Sequence, residues 1–133
     1  FGGAIVFDCH SMPSAGGAPM RAGERRIDFV LGDRFGSSCA PSITLLAEQT
    51  LASMDYEVAR NTPYAGGYVA SAYGRPKAGV HVLQIEINRA LYLDERKIAR
   101  NEGFNRLRKN MLILVEKLAA LRLEHLWAPQ AAE

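Results

Sequence analysis

Apolar and polar positions along the chain recur with two different periods, and those periods predict its elements. Ala4 to Cys9 is an apolar run of large and β-branched residues, which reads as a buried strand ending where Asp8, His10 and Ser11 bring in polar groups. Ser11 to Arg25 contains two Pro, three Gly and two Ser among its charges, so a loop follows. Arg26 to Leu31 alternates and predicts a second strand, closed by the turn residues of Gly32 to Ser38. Ser37 or Ser38 can cap a helix with Pro41 in its first turn. Ile43, Leu46, Ala47, Thr50, Leu51 and Met54 then step by three and four, carrying it to about Met54.

Tyr56 to Arg60 reads as a short strand, and Asn61 to Arg75 as a loop, since Pro63, Gly66 and Gly67 disfavour a regular element. Val80 to Asn88 alternates again. His81, Leu83, Ile85 and Ile87 share one face, while Val80, Val82, Gln84, Glu86 and Asn88 share the other, which turns polar towards the C-terminal end. From Glu102 to Trp127, Phe104, Leu107, Met111, Leu114, Leu118 and Leu121 form the apolar stripe of a long amphipathic helix with Arg106, Lys109 and Lys117 outside. Ala128 to Glu133 reads as a frayed tail. Strands mixed with helices of this length predict an α/β fold, a mixed sheet flanked by helices, in which ligands favour the C-terminal ends of strands.

Composition narrows the function classes. A length of 133 residues suits one domain, and 48% hydrophobic with 23% charged residues excludes disorder and a coiled-coil rod. No apolar run reaches the roughly 18 residues of a membrane span. The net charge is only +2 and the basic residues are scattered, which argues against nucleic acid or an anionic membrane as partner. Two cysteines, Cys9 and Cys39, without a secretory apolar segment predict reduced, buried thiols and a cytoplasmic protein. The chain opens at Phe1 straight into a strand-like run, the beginning expected of a piece of something longer.

Few residues can carry chemistry. Asp8 and His10 are two apart on a strand and project to one side, so a neutral imidazole can ligate a metal while the carboxylate fixes its tautomer from the second shell. The alternative is a capped strand end with a hydrogen-bonded histidine. Glu86, a carboxylate among Leu83, Ile85 and Ile87, must be paired, protonated or used. It is either a general base or the ion-pair partner of Arg75 or Arg89. His81, on an apolar face, reads as a satisfied core histidine, and His125 as a surface residue. A catalytic zinc site uses about three protein ligands. With one convincing ligand, a complete site inside this chain is not expected. Cys9 and His10 are adjacent on a strand and point apart, and no phosphate-cradling glycine fingerprint is present.

Four blocks, in this order and spacing, resemble the C-terminal half of the N-formylglutamate amidohydrolase family, which is related to the zinc carboxypeptidases and aspartoacylases. They are Asp8-Cys9-His10-Ser11-Met12-Pro13; Gly32-Asp33-Arg34; Asn61-Thr62-Pro63-Tyr64 with Gly66-Gly67-Tyr68; and Gln84-Ile85-Glu86-Ile87-Asn88-Arg89 with Leu91-Tyr92. The likeness runs from about Ile5 to Leu118. It implies a zinc-carboxypeptidase-like α/β domain of which residues 1–127 are the C-terminal part and 128–133 a tail. It also implies a zinc-dependent hydrolase that cleaves N-formyl-L-glutamate to formate and L-glutamate, a late step of histidine degradation. By that analogy His10 is a zinc ligand and Glu86 the glutamate that activates the attacking water. Arg34, Asn61, Tyr64, Arg75 and Arg89 lie in or beside the matching blocks and become substrate-binding candidates, since a dicarboxylate needs cations. The family's N-terminal metal motif is absent, so further zinc ligands are expected from a segment upstream and the chain alone is expected to be inactive. Two other readings stay open: an amidohydrolase for another N-acyl amino acid or peptide, and a non-catalytic α/β module.

Overall fold

The computed structural model describes residues 2–14 and 26–122. A four-stranded sheet organises them, built from β1 (Ala4–Met12), β2 (Phe29–Gly32), β3 (Val58–Arg60) and β4 (Val80–Asn88) in the order β1-β4-β2-β3. Strand β4 runs parallel to β1 and antiparallel to β2, which is parallel to β3, so the sheet is mixed as the sequence implies. The helices are α1 (Pro41–Ser53), α2 (Tyr68–Tyr73) and α3 (Phe104–Ala119), and β5 (Leu93–Asp94) pairs with β6 (Ala99–Arg100) in a separate hairpin.

Alternation assigns each face its cover. Phe29, Leu31, Leu83 and Ile85 form one face and are buried beneath Ile43, Ala47 and Leu51 of α1 and Leu107, Leu114 and Leu118 of α3. Each of the fully buried Leu, Ile and Phe side chains among them stabilises the fold by about 1.5–3 kcal/mol. Phe29 adds an edge-to-face contact with Tyr56, centroids 4.9 Å apart, and Tyr56 Oη accepts a hydrogen bond from Asn110 of α3. Loop 61–67 and α2 lie against β4 on the opposite face.

Several boundaries differ from the expectation, each for a long-range reason. Strand β1 does not stop at Cys9 but pairs with β4 through Met12↔Asn88. Strand β2 begins at Phe29 rather than Arg26, because its ladder with β3 starts at Phe29↔Val58; β3 correspondingly omits Tyr56 and Glu57. Neither serine caps α1. Ser37 Oγ donates to the Arg34 carbonyl and Ser38 Oγ to the Val82 carbonyl, the N-cap residue is Ala40, and its N–H donates to His81 Nδ1 at 3.1 Å. The Asn61–Arg75 segment is not all loop: its glycines and proline flank Tyr68–Tyr73, which is free of both and forms α2 behind Gly67. Helix α3 begins at Phe104 and ends at Ala119; Leu121 N–H donates to the Leu118 carbonyl in a tighter turn that continues the apolar stripe without continuing the helix. Residues 15–25 of the expected first loop, His125, Trp127 and the 128–133 tail lie outside the described residues.

Candidate active site

The parallel register of β1 and β4 sets Asp8 opposite Gln84 and His10 opposite Glu86. Paired residues on neighbouring strands share a face, so all four side chains project to the side away from α1 and α3. Along β1, His10 Nε2 lies 3.0 Å from Asp8 Oδ1. Along β4, Gln84 Nε2 donates to Glu86 Oε1 at 2.7 Å. His10 is half-exposed, whereas Gln84 and Glu86 are buried.

His10 suits one metal position. Asp8 engages Nε2, which leaves Nδ1 for a cation, and a carboxylate behind the other nitrogen is the arrangement that orients metal-bound imidazoles. Among the described residues no three His, Cys, Asp or Glu side chains gather into a metal cage. Glu86 forms no ion pair with Arg75 or Arg89; its observed partner is the neutral amide of Gln84. That glutamine belongs to the polar face of β4 read from the sequence, but only the fold shows that it holds Glu86.

The loops bring some candidates to this face and leave others elsewhere. Gly67 N–H donates to Gln84 Oε1, which hangs loop 61–67 over the site. Arg34 Nη1 donates to the Gly66 carbonyl at 3.3 Å and forms no ion pair among the described residues. A Cβ on Gly66 would come 2.9 Å from Arg34 Cγ, and one on Gly32 would come 2.7 Å from the Ala65 backbone, so glycine permits both approaches. Asn61 is committed to structure: its Oδ1 accepts from Asp33 N–H and Phe35 N–H, and its Nδ2 donates to Asp33 Oδ1. With Thr44 Oγ1 donating to Asp33 Oδ2, this clamp holds Arg34 and Phe35 at φ of 51° and 57°, in the left-handed region. Tyr64 is half-buried in the same loop.

Arg75 falls at the wrong end of the strand. It bridges to Val80 at the start of β4, six residues and about 20 Å before Glu86. Arg89 follows the C-terminal end of β4, but its Nε donates to Ser11 Oγ, on the face opposite His10, and its Nη1 lies 3.5 Å from Glu95. Glu95 also accepts from the Ser14 hydroxyl, whose hydrogen bond, ahead of the Arg89 charge, holds its carboxyl below the usual range. The expectation of two buried thiols also needs correction. Cys39 is buried, its thiol pushed up to about 12 chiefly by burial, but Cys9 is exposed on the outer strand of the sheet.

Comparison with known proteins gives a consistent set of relatives. A model of the N-formylglutamate amidohydrolase family matches residues 1–93. N-formylglutamate deformylase of Pseudomonas aeruginosa is 34% identical over 97 residues, which are 72% of this chain and 36% of that protein. The Pseudomonas putida protein of the same name is 30% identical over 71% of this chain and 35% of its own length. The chain thus spans about a third of the length of these curated relatives. Crystallised N-formylglutamate amidohydrolase from Ralstonia eutropha superposes with a TM-score of 0.81 at 38% identity, covering 95% of this chain and 44% of that one.

Proposed function

Since this chain belongs to the N-formylglutamate amidohydrolase family, we propose that it carries the general base and one zinc ligand of an enzyme that hydrolyses N-formyl-L-glutamate to formate and L-glutamate. The register that sets His10 beside Glu86 on one face of the sheet carries this reading. His10 would hold zinc through Nδ1 with Asp8 behind it. The remaining ligands would come from the portion of the relatives' length that this chain does not span. Zinc, when bound, polarises the formyl carbonyl and acidifies water.

The chain's own residues supply the rest. Glu86 takes a proton from the water whose oxygen adds to the formyl carbon, and returns it to nitrogen as the C–N bond breaks, so that formate and the free amine leave. Burial of Glu86 excludes competing solvent from that transfer. Arg34, which has no acidic partner among the described residues, binds a substrate carboxylate by charge-assisted hydrogen bonds, and Tyr64 lines the same loop. A place in histidine degradation and a cytoplasmic location accord with this substrate.

Metal content measured beside deformylase activity tests the assignment. The 133-residue chain alone should bind zinc weakly and not turn over. In the protein completed to the length of its relatives, His10→Ala should remove most of the metal, whereas Glu86→Gln should keep the metal and lose turnover by about 100-fold or more. Normal turnover in Glu86→Gln would refute the role of Glu86.

A further inference from the structure

Glu86 has two carboxylate oxygens, and the fold treats them differently. Oε1 accepts the N–H of Gln84 Nε2 at 2.7 Å, and both residues are more than nine-tenths buried. At its other end, Gln84 Oε1 accepts the N–H of Gly67. A backbone N–H can only donate, so the oxygen of the Gln84 amide must face Gly67. Its NH₂ group is then turned towards Glu86, and it too can only donate. Reversing the amide would set two donors against each other at Gly67 and two oxygens against each other at Glu86. The consequence is chemical: Oε1 of Glu86 is held as an acceptor, so a proton arriving at this carboxylate must settle on Oε2.

The loop backbone approaches the amide closely. A Cβ on Gly67 would lie 3.1 Å from Gln84 Oε1, and the adjoining Gly66 carries Arg34 on its carbonyl. One hydrogen-bonded run therefore joins Arg34, the Gly66-Gly67 pair, Gln84 and Glu86.

We propose that Gln84 is a positioning residue of the hydrolytic step, which assigns the transferred proton to Oε2 of Glu86 and ties the base to the loop on which Arg34 rests. The proposal depends on the reading of Glu86 as general base. Glu86 needs one free, aimed oxygen to serve water and then the leaving nitrogen, and a carboxylate free to rotate would present either oxygen.

Two variants of Gln84 test it, with Glu86→Gln as reference. Gln84→Glu keeps the shape and the acceptor for Gly67 but places a second carboxylate against Glu86, so the pair must share a proton. The acidic limb of the kcat/KM profile should move up by about one pH unit or more. The carboxyl resonances of glutamate-labelled, substrate-free protein should show a group titrating at correspondingly higher pH. Gln84→Leu should lower kcat by about 10- to 100-fold with far less change in KM, and should speed hydrogen exchange at the Gly67 amide. A Gln84→Glu variant with an unmoved acidic limb and unmoved carboxyl titration would overturn the proposal, as would a folded Gln84→Leu variant with wild-type kcat. If Gln84→Leu does not fold, Gln84→Glu decides. Wild-type turnover in Glu86→Gln would instead overturn the role of Glu86 in hydrolysis, while the resonances and the Gly67 exchange would still report whether Gln84 orients that carboxylate.

Discussion

His81 should make the stability of this fold depend on pH, and substituting it should remove that dependence. Its ring is buried within β4, and Nδ1 accepts the N–H of Ala40, the residue that leads into α1, a backbone donor that a glutamate or glutamine of the first helical turn accepts in a capping box. Accepting at Nδ1 requires that nitrogen to be unprotonated, so the ring proton sits on Nε2. Burial lowers the pKa of His81 below its ordinary value of 6.5. Below pH 6.5 the unfolded chain therefore binds a proton that the folded chain refuses, and stability falls as pH falls. The slope is at most about 1.4 kcal/mol per pH unit, persists down to the folded-state pKa, and vanishes above the unfolded value. His81→Leu fills a similar volume but leaves the Ala40 N–H without its acceptor, costing about 1–2 kcal/mol at neutral pH. Urea denaturation of both proteins between about pH 8 and pH 5 measures both effects. Titrating carboxylates contribute equally to the two, so the difference isolates His81. If wild type and variant lose stability in parallel as pH falls, the linkage through His81 is refuted.

The remaining predictions concern single side chains. Arg34→Ala should raise KM for the dicarboxylate substrate about 10- to 100-fold, the loss of a charge-assisted pair, whereas Arg75→Ala should leave KM unchanged; steady-state kinetics of the two variants checks this. In thiol labelling of the folded chain near pH 8, Cys9 should react first, because Cys39 is buried with its thiol pushed up to about 12. Although Cys9 as a residue is exposed, partial desolvation of its sulfur, and secondarily the charge of Asp8, raises its thiol as well, so Asp8→Asn should speed its labelling, measurable by mass spectrometry over time.

Strand β4 was legible in the sequence to both of its ends, because nine alternating residues carry their own period and their own division into faces. The same alternation put Gln84 and Glu86 on one side and His81 on the other. What the sequence did not disclose was contact across distance. His81 accepts the N–H of Ala40, 41 positions earlier at the start of α1, Gln84 receives Gly67 from 17 positions earlier, and β1 runs on past its apolar residues because β4 offers partners as far as Met12. Arg75 and Arg89 looked equivalent as cations near matching blocks. Only the topology separates an arginine at the beginning of β4 from one beyond its end, already drawn to Ser11 and Glu95.

The geometry of the site follows from two pairs with the same spacing placed side by side. Within β1 the carboxylate of Asp8 reaches the ring of His10, and within β4 the amide of Gln84 reaches the carboxylate of Glu86. Each contact spans two residues along its own strand, the shortest step that keeps side chains on one face. Because each strand satisfies its own polar pair, nothing requires His10 and Glu86 to bond to each other, although they lie directly opposite on strands about 4.8 Å apart. The ligand candidate is the half-exposed member, which a metal can reach, and the proposed base is the buried one, held by the Gln84 amide. A slip of one residue in the β1–β4 register would break this division. Cys9 would face Glu86 or Ser11 would replace His10, and the imidazole would pass to the face packed by α1 and α3. The apolar residues Ile5 and Phe7, which pack against the core from that other face, therefore fix the positions of His10 and Glu86 as firmly as any residue within the site.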